Sequence, residues 1–288
     1  MSSYELRRES ATVPRRSSAH ALDTRISLLR DIAHADQRLE GVLLYGSWTL
    51  GEADAHSDLD AYLFVNDADA DTFDGRAFVE QLAPLKLAYT NMYGILAVVF
   101  DDLMRGEFHV EAAGSAVAEM ASWRGVVHFP DPDRAVLLDR TGRLTAAARA
   151  LAEYEPPEPV ATAQQLTDEL ANWTLMLAHV LARGETARAY ALLHTVIAPQ
   201  QLQLCRLLRG STTHWLTPSR ALEEDLPAGD QERYTATTCR AVDAGVRVAA
   251  RKSWQWTRDL ATEAAQRWRI ALPLPLHENI GTQLAAER

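Results

Sequence analysis

Cysteine is scarce in this 288-residue chain, which carries Cys205 and Cys239 alone. The two lack metal-type spacing and need not be paired, so the simplest setting is a reduced, cytoplasmic one. Long apolar runs are missing as well. No stretch reaches the ~18 to 20 uninterrupted apolar residues of a membrane span, so no membrane partner is expected. The opening stretch "MSSYELRRESATVPRRSSAH" has arginines but no apolar core, which argues against a secretory signal. Its Ser, Arg and Glu content predicts a loose tail over residues 1–20. Positive charge is also short: lysine is confined to Lys86 and Lys252, and the formal net charge is -10. A protein built to coat nucleic acid needs a basic surface, so no nucleic-acid partner is expected. Nucleotides stay open, because a bound Mg²⁺ supplies its own local charge.

What is present is enough apolar material, 47% of residues, for one large domain or two small ones. Residues 22–38 read as a helix with Leu22, Ile26, Leu29 and Ile32 on one face. "GVLLYGS" (41–47) reads as a buried strand ending in small residues, and "LDAYLFV" (59–65) as the next. Residues 73–85 have helical spacing. Strand patterns follow at 85–91, 93–100 and 107–112. A strand and turn over 135–142 and a helix over 143–154 close this half. "EPPEPVA" (155–161) is a break, since its prolines favour an extended spacer. Beyond it 162–183 and 186–209 read as long helices, and 229–268 reads as helical again. The expected class is α+β: a mixed sheet with flanking helices over 21–155, then an all-α bundle over 162–288.

The stretch "YGSWTLGEADAHSDLDAYLF" (45–64) carries the chemistry. Alternation along a strand puts Asp58 and Asp60 on one face and Leu59 on the other. Two carboxylates that close both stay ionised only if a cation or donors compensate them. A Mg²⁺ ion does so, with one or two carboxylates and substrate phosphates as ligands. Gly46 permits close backbone approach. Ser47 is suited to cap a short helix over 48–53, whose N–H groups would face a phosphate. A phosphate cradle beside a two-carboxylate metal site describes nucleotidyl transfer. Such a site needs a third carboxylate as base. Asp101, Asp102, Glu107 and Glu111 are candidates, and position alone does not choose among them.

These residues match a known family. "LYGSWTLGEADAHSDLDAYLF", "APLKLAYTNMYGILAVVFDDLMRGEFHV" and "LARGETARAYALLHTVIAPQQLQLCRLLRG" resemble the B-type lincosamide nucleotidyltransferases of the polymerase-beta-like superfamily. The resemblance runs over about residues 22–245. It implies a nucleotidyltransferase fold for the first half and assigns the phosphate-gripping pair to Gly46 and Ser47. The metal carboxylates become Asp58 and Asp60. Glu107 of "RGEFH" becomes the catalytic base and a further metal ligand. The implied activity moves a nucleoside monophosphate, AMP first, from ATP or another triphosphate held by two Mg²⁺ to a hydroxyl of an antibiotic. A homodimer is implied, with the helical half forming the acceptor pocket. The chain departs from the family in having Asp60 where Glu is usual. Met92 and Leu96 also replace acidic residues.

Other features read more plainly. "DADADTFDG" (67–75) lacks the Gly and Glu of a calcium loop and reads as a turn with Asp capping. His109 shares a strand face with Glu107 and is a candidate for positioning nucleotide or acceptor. Tyr190, His194 and Arg206 are candidates for the acceptor pocket. Trp254 and Trp256 fall on different helix faces, one expected in the core and the other at a pocket or interface. "EED" (223–225) reads as a solvated face. Competing functions are the same chemistry on an aminoglycoside or a natural-product intermediate, or a nucleotide-binding regulator or protein-modifying transferase.

Overall fold

The computed structural model describes residues 20–286. The expected tail over 1–20 thus lies, apart from His20, outside the described residues. The chain divides into two compact units, Met1–Glu155 and Pro156–Arg288.

The first unit is α+β. Helix α1 (His20–Ala35) buries Leu22, Ile26, Leu29 and Ala33, a helical stripe that packs on the sheet. Strands β1 (Leu39–Leu44) and β2 (Leu59–Val65) follow. Then come the short helix α2 (Gly75–Val79), strands β3 (Leu85–Thr90), β4 (Leu96–Phe100) and β5 (Arg105–Ala112), and helix α3 (Ala113–Glu119). A 3₁₀ turn (Met120–Trp123), helix α4 (Pro132–Ala135), strand β6 (Val136–Asp139) and helix α5 (Arg143–Ala150) complete the unit. The strand order is β3-β4-β5-β2-β1-β6. Its neighbours run antiparallel except β2 and β5, which run parallel at the centre.

Alternation along β2 sends side chains to two cores. Leu59, Ala61 and Leu63 join the cluster under α1 and α2, whereas Phe64 joins the one under α3 and α5. The helix expected over 73–85 is reduced to Gly75–Val79. Asp74 caps its start, accepting from the Ala77 N–H at 3.0 Å. Beyond Val79 the chain turns toward Pro84, whose ring disfavours helix in the residue before it.

The second unit is helical. It comprises α6 (Pro159–Ala182), α7 (Thr186–Leu192), a π-helical turn (Leu193–Ile197) and α8 (Ala198–Arg209). It continues with α9 (Leu222–Asp225), α10 (Ala228–Ala236), α11 (Asp243–Trp268) and α12 (Leu274–Ala285). The helical span expected over 229–268 is therefore two helices, parted by the segment 237–242. Trp254 and Trp256 are both buried, at 3% and 2% exposure, and each also lines a cavity, where a pocket or interface place was expected for one of them. Both cysteines are free. No helix of the described residues is long and apolar enough to cross a membrane.

Arg206 is not a pocket residue. Its side chain is fully buried and donates to the carbonyls of Ser211, Pro218 and Arg220 and to Asp225 Oδ2. His214 Nδ1 also lies 2.7 Å from that carboxylate oxygen. Asp225 thus belongs to a clamp on the loop, which corrects the solvated face expected for "EED" at that residue alone, since Glu223 and Glu224 are exposed.

Candidate active site

The parallel pairing of β2 with β5 sets Asp60 opposite Glu107 and Tyr62 opposite His109. A shared register places paired side chains on one face of the sheet. Glu111 falls opposite Phe64, two pairs farther along. Asp102 is engaged by Arg25 at 2.8 Å, and Asp101 is an exposed turn residue. Among the four carboxylates that position left open, only Glu107 sits beside Asp60.

Asp58 lies just before β2. The guanidinium of Arg105 approaches its Oδ2 at 3.1 Å and the Glu107 Oε1 at 3.9 Å. Asp60 is half-buried, as are Asp58 and Glu107. Burial, then the charges of Asp58 and Glu107, push its pKa up to about 7, and Arg105 pulls the other way. Three carboxylates therefore share one electrostatic field, with the Arg105 guanidinium among them.

The chain leaving β1 passes directly over this group. The Tyr45 N–H donates to the Asp60 carbonyl at 3.2 Å. Gly46 follows with φ +77°, and a Cβ there would sit 2.7 Å from Asp60 Oδ2. Glycine suits both demands, a left-handed backbone and a close carboxylate. The helix expected over 48–53 does not form. Residues 46–51 make a run of turns, closed by Glu52 N–H to the Ser47 carbonyl at 2.9 Å. Gly51 is also left-handed, at φ +75°, so positive-φ residues bracket the segment and no regular helix fits between them. Ser47 is half-buried in that turn.

Behind the carboxylates lies an aromatic layer. His109 stacks on Tyr62 with ring centroids 4.0 Å apart, and Tyr45 meets His109 edge-on at 5.6 Å. Trp123 closes on Tyr62 at 4.9 Å. Burial holds the His109 pKa below its ordinary value, which favours the neutral imidazole. Burial, and after it the charge of Asp60 and Glu107, pushes the Tyr45 phenol up, so that it stays protonated. Tyr45, Tyr62 and Arg105 carry no motif that marks them in the sequence. The available signal was position: Arg105 precedes Glu107 by two residues on one strand, and Tyr62 follows Asp60 by two.

In the helical unit Tyr190 and His194 come together, with ring centroids 4.4 Å apart. Cys239 Sγ lies 4.0 Å from His194 Nε2. His194 sits in the π-helical turn, a distortion frequent at functional sites. Two cavities of this unit, of about 400 and 320 Å³, lie elsewhere. The first is lined by Trp254, Arg251 and Arg258, the second by Trp256, Arg209 and Glu263.

Whether the carboxylates suit a metal turns on two observations. Among the described residues no group of three or more His, Cys, Asp or Glu side chains is arranged to hold an ion. The donor chemistry nevertheless fits a hard divalent cation: all-oxygen ligands, mutually repelling, with Asp60 driven toward its neutral form for want of positive charge. The guanidinium of Arg105, in contact with Asp58 and Glu107, opposes that shift without cancelling it.

Residues 161–282 match the family described as "Lincosamide nucleotidyltransferase-like, C-terminal domain". The match covers most of the helical unit and less than half of the chain. Among solved structures the chain is similar to an aminoglycoside 6-adenyltransferase from Bacillus subtilis. That likeness has 14% identity, covers 90% of this chain and 97% of that one, and has a TM-score of 0.42. A nucleotidyltransferase-like protein from Exiguobacterium sibiricum 255-15 is 13% identical, over 86% of this chain and 77% of that one, with a TM-score of 0.38. Likenesses that weak add nothing to the topology already described. No curated protein sequence matches the chain.

Proposed function

We propose that this chain, whose helical unit carries the lincosamide nucleotidyltransferase-like C-terminal domain, is a nucleotidyltransferase acting on a small antibiotic-like molecule. It moves a nucleoside monophosphate, AMP first, from a triphosphate to an acceptor hydroxyl, with a lincosamide as the first candidate. The observation that carries this reading is the pairing of Asp60 with Glu107 across β2 and β5, under a turn that suits glycine.

Asp58 and Asp60 are the residues that would hold Mg²⁺, with Glu107 as a further ligand. When bound, Mg²⁺ supplies charge neutralisation on the phosphate oxygens and lowers the barrier to attack at phosphorus. The rest falls to the chain. Gly46 and Ser47 keep a bare backbone turn over Asp60, open to phosphate. Glu107 is placed to take the acceptor hydroxyl proton as the oxygen forms its bond to the α-phosphorus. The bond from that phosphorus to the bridging oxygen breaks, and pyrophosphate leaves with the electron pair. A base of this kind contributes about 10²–10⁴ in rate. His109, stacked on Tyr62, is the proposed contact for nucleotide or acceptor beside this pair. Tyr190 and His194 are the proposed acceptor contacts of the helical unit, and a homodimer belongs to the same reading.

The test is mass spectrometry of antibiotics incubated with the protein, Mg²⁺ and each of the four triphosphates. The expected result is an AMP-sized gain on a lincosamide, abolished by Asp60→Asn. A panel of lincosamides, aminoglycosides and other hydroxylated drugs that stays unmodified with every triphosphate sinks the reading. Gain on an aminoglycoside alone would keep the chemistry and move the acceptor.

A further inference from the structure

We propose that Arg105 is an exchangeable counter-ion: it occupies the place of the divalent cation, is displaced when the cation enters, and then pairs with the triphosphate. The inference rests on the functional reading above and names a residue that reading does not use.

Arg105 opens β5, two residues before Glu107, so both side chains leave the same face. Its contacts are to Asp58 at 3.1 Å and Glu107 at 3.9 Å, and its charge also acts on Asp60. It therefore serves all three carboxylates. Its side chain is 60% exposed. The contrast with Arg206 is plain: that guanidinium is fully buried and held by several acceptors. An exposed ion pair contributes about 0–1 kcal/mol, so Arg105 is not there for stability and is held loosely enough to leave.

A divalent cation that takes the Asp58 and Glu107 oxygens competes for them with this guanidinium, which lies against both. Once evicted, the side chain keeps its reach and its planar set of N–H donors, which suits phosphate oxygens. The triphosphate arrives with the cation at that moment. Cation and nucleotide thus help each other: the nucleotide gives Arg105 somewhere to go, and the cation frees it.

The experiment is calorimetric titration of Mn²⁺ alone, and of α,β-methylene-ATP with Mn²⁺, into the wild-type chain, Arg105→Gln, Arg105→Lys and Asp60→Asn. Removing the competitor should make Arg105→Gln bind Mn²⁺ alone about tenfold tighter than wild type. The same variant should bind the nucleotide analogue about tenfold more weakly. Arg105→Lys, which keeps the charge and loses the fork, should resemble wild type toward Mn²⁺ and fall between on the analogue. If wild type binds Mn²⁺, Asp60→Asn loses it, and Arg105→Gln binds no more tightly than wild type, displacement is overturned and the metal site stands. Unchanged affinity of Arg105→Gln for the analogue overturns the transfer to phosphate. If neither wild type nor Arg105→Gln binds Mn²⁺, with or without the analogue, the metal-site reading itself is overturned and Arg105 falls with it.

Discussion

Gly46 and Gly51 form a natural pair for separating backbone strain from contact with a carboxylate. Their φ angles are nearly equal, +77° and +75°. A Cβ at Gly51 would meet nothing within 4 Å, whereas one at Gly46 would meet Asp60 Oδ2 at 2.7 Å. An L-residue forced into the left-handed region costs about 1–2 kcal/mol. Against this, replacing glycine by alanine restricts the unfolded chain and returns about 0.4–1 kcal/mol. Gly51→Ala should therefore lose roughly 1 kcal/mol of stability. Gly46→Ala should lose about as much, and it should also push the Asp60 carboxylate from its place. Urea unfolding of both variants measures the loss. The sharper measurement is Mn²⁺ titration. Gly51→Ala should bind as wild type does, and Gly46→Ala should bind at least about tenfold more weakly, the equivalent of about 1.4 kcal/mol. If the two variants bind Mn²⁺ equally well, the turn over Asp60 does not guard the carboxylate and the argument for Gly46 fails.

Glu107→Gln should cut turnover by about 10²–10⁴ while leaving nucleotide affinity near wild type; loss of nucleotide binding would make Glu107 a metal ligand before a base. In the metal-free protein, burial and then the neighbouring charges raise Asp60 to about 7, against about 4 in the unfolded chain. Its stabilising share is therefore full below about pH 4 and is lost as pH rises through 7. Asp60→Asn should remove that slope in urea unfolding with chelator present, and an unchanged slope would refute the assignment. Arg206→Met strips a buried cation from Asp225 and three carbonyls. It should cost about 3–5 kcal/mol and open residues 211–221 to limited proteolysis; a loop as resistant as in wild type would contradict the clamp.

The strand over 59–65 is legible to the residue, because its alternation is local and unambiguous. The neighbour of that strand is not. That β5 lies parallel beside β2, and so brings Glu107 to Asp60, is a long-range choice with no local mark. The four candidate bases stayed level on position for that reason, and only the family resemblance had singled one out. The turn at 46–51 misled because Ser47 carries a capping signal while Gly46 and Gly51 veto the helix it would cap. The π-helical turn at His194 inserts itself into a periodic pattern that still reads as plain helix. Of "EED", Glu223 and Glu224 are exposed as their charge suggests, whereas the partner of Asp225, the buried guanidinium of Arg206, lies elsewhere in sequence. Arg105 was passed over since a charged residue at a strand start is ordinary until its partners are known.

Parallel pairing of β2 with β5 also has a consequence for how the molecule is made. Asp60 leaves the ribosome well before Glu107, and the β3–β4 hairpin must be synthesised and swung to the outside before the two strands can meet. Loop-closure entropy has to be met first, and a slip of one residue would send the two carboxylates to opposite faces. A chain with a mispaired centre would hold secondary structure yet have no paired carboxylates. Catalytic competence is thus a late product of folding in this sheet, and the appearance of activity during refolding should mark the closing of its middle, not the forming of its parts.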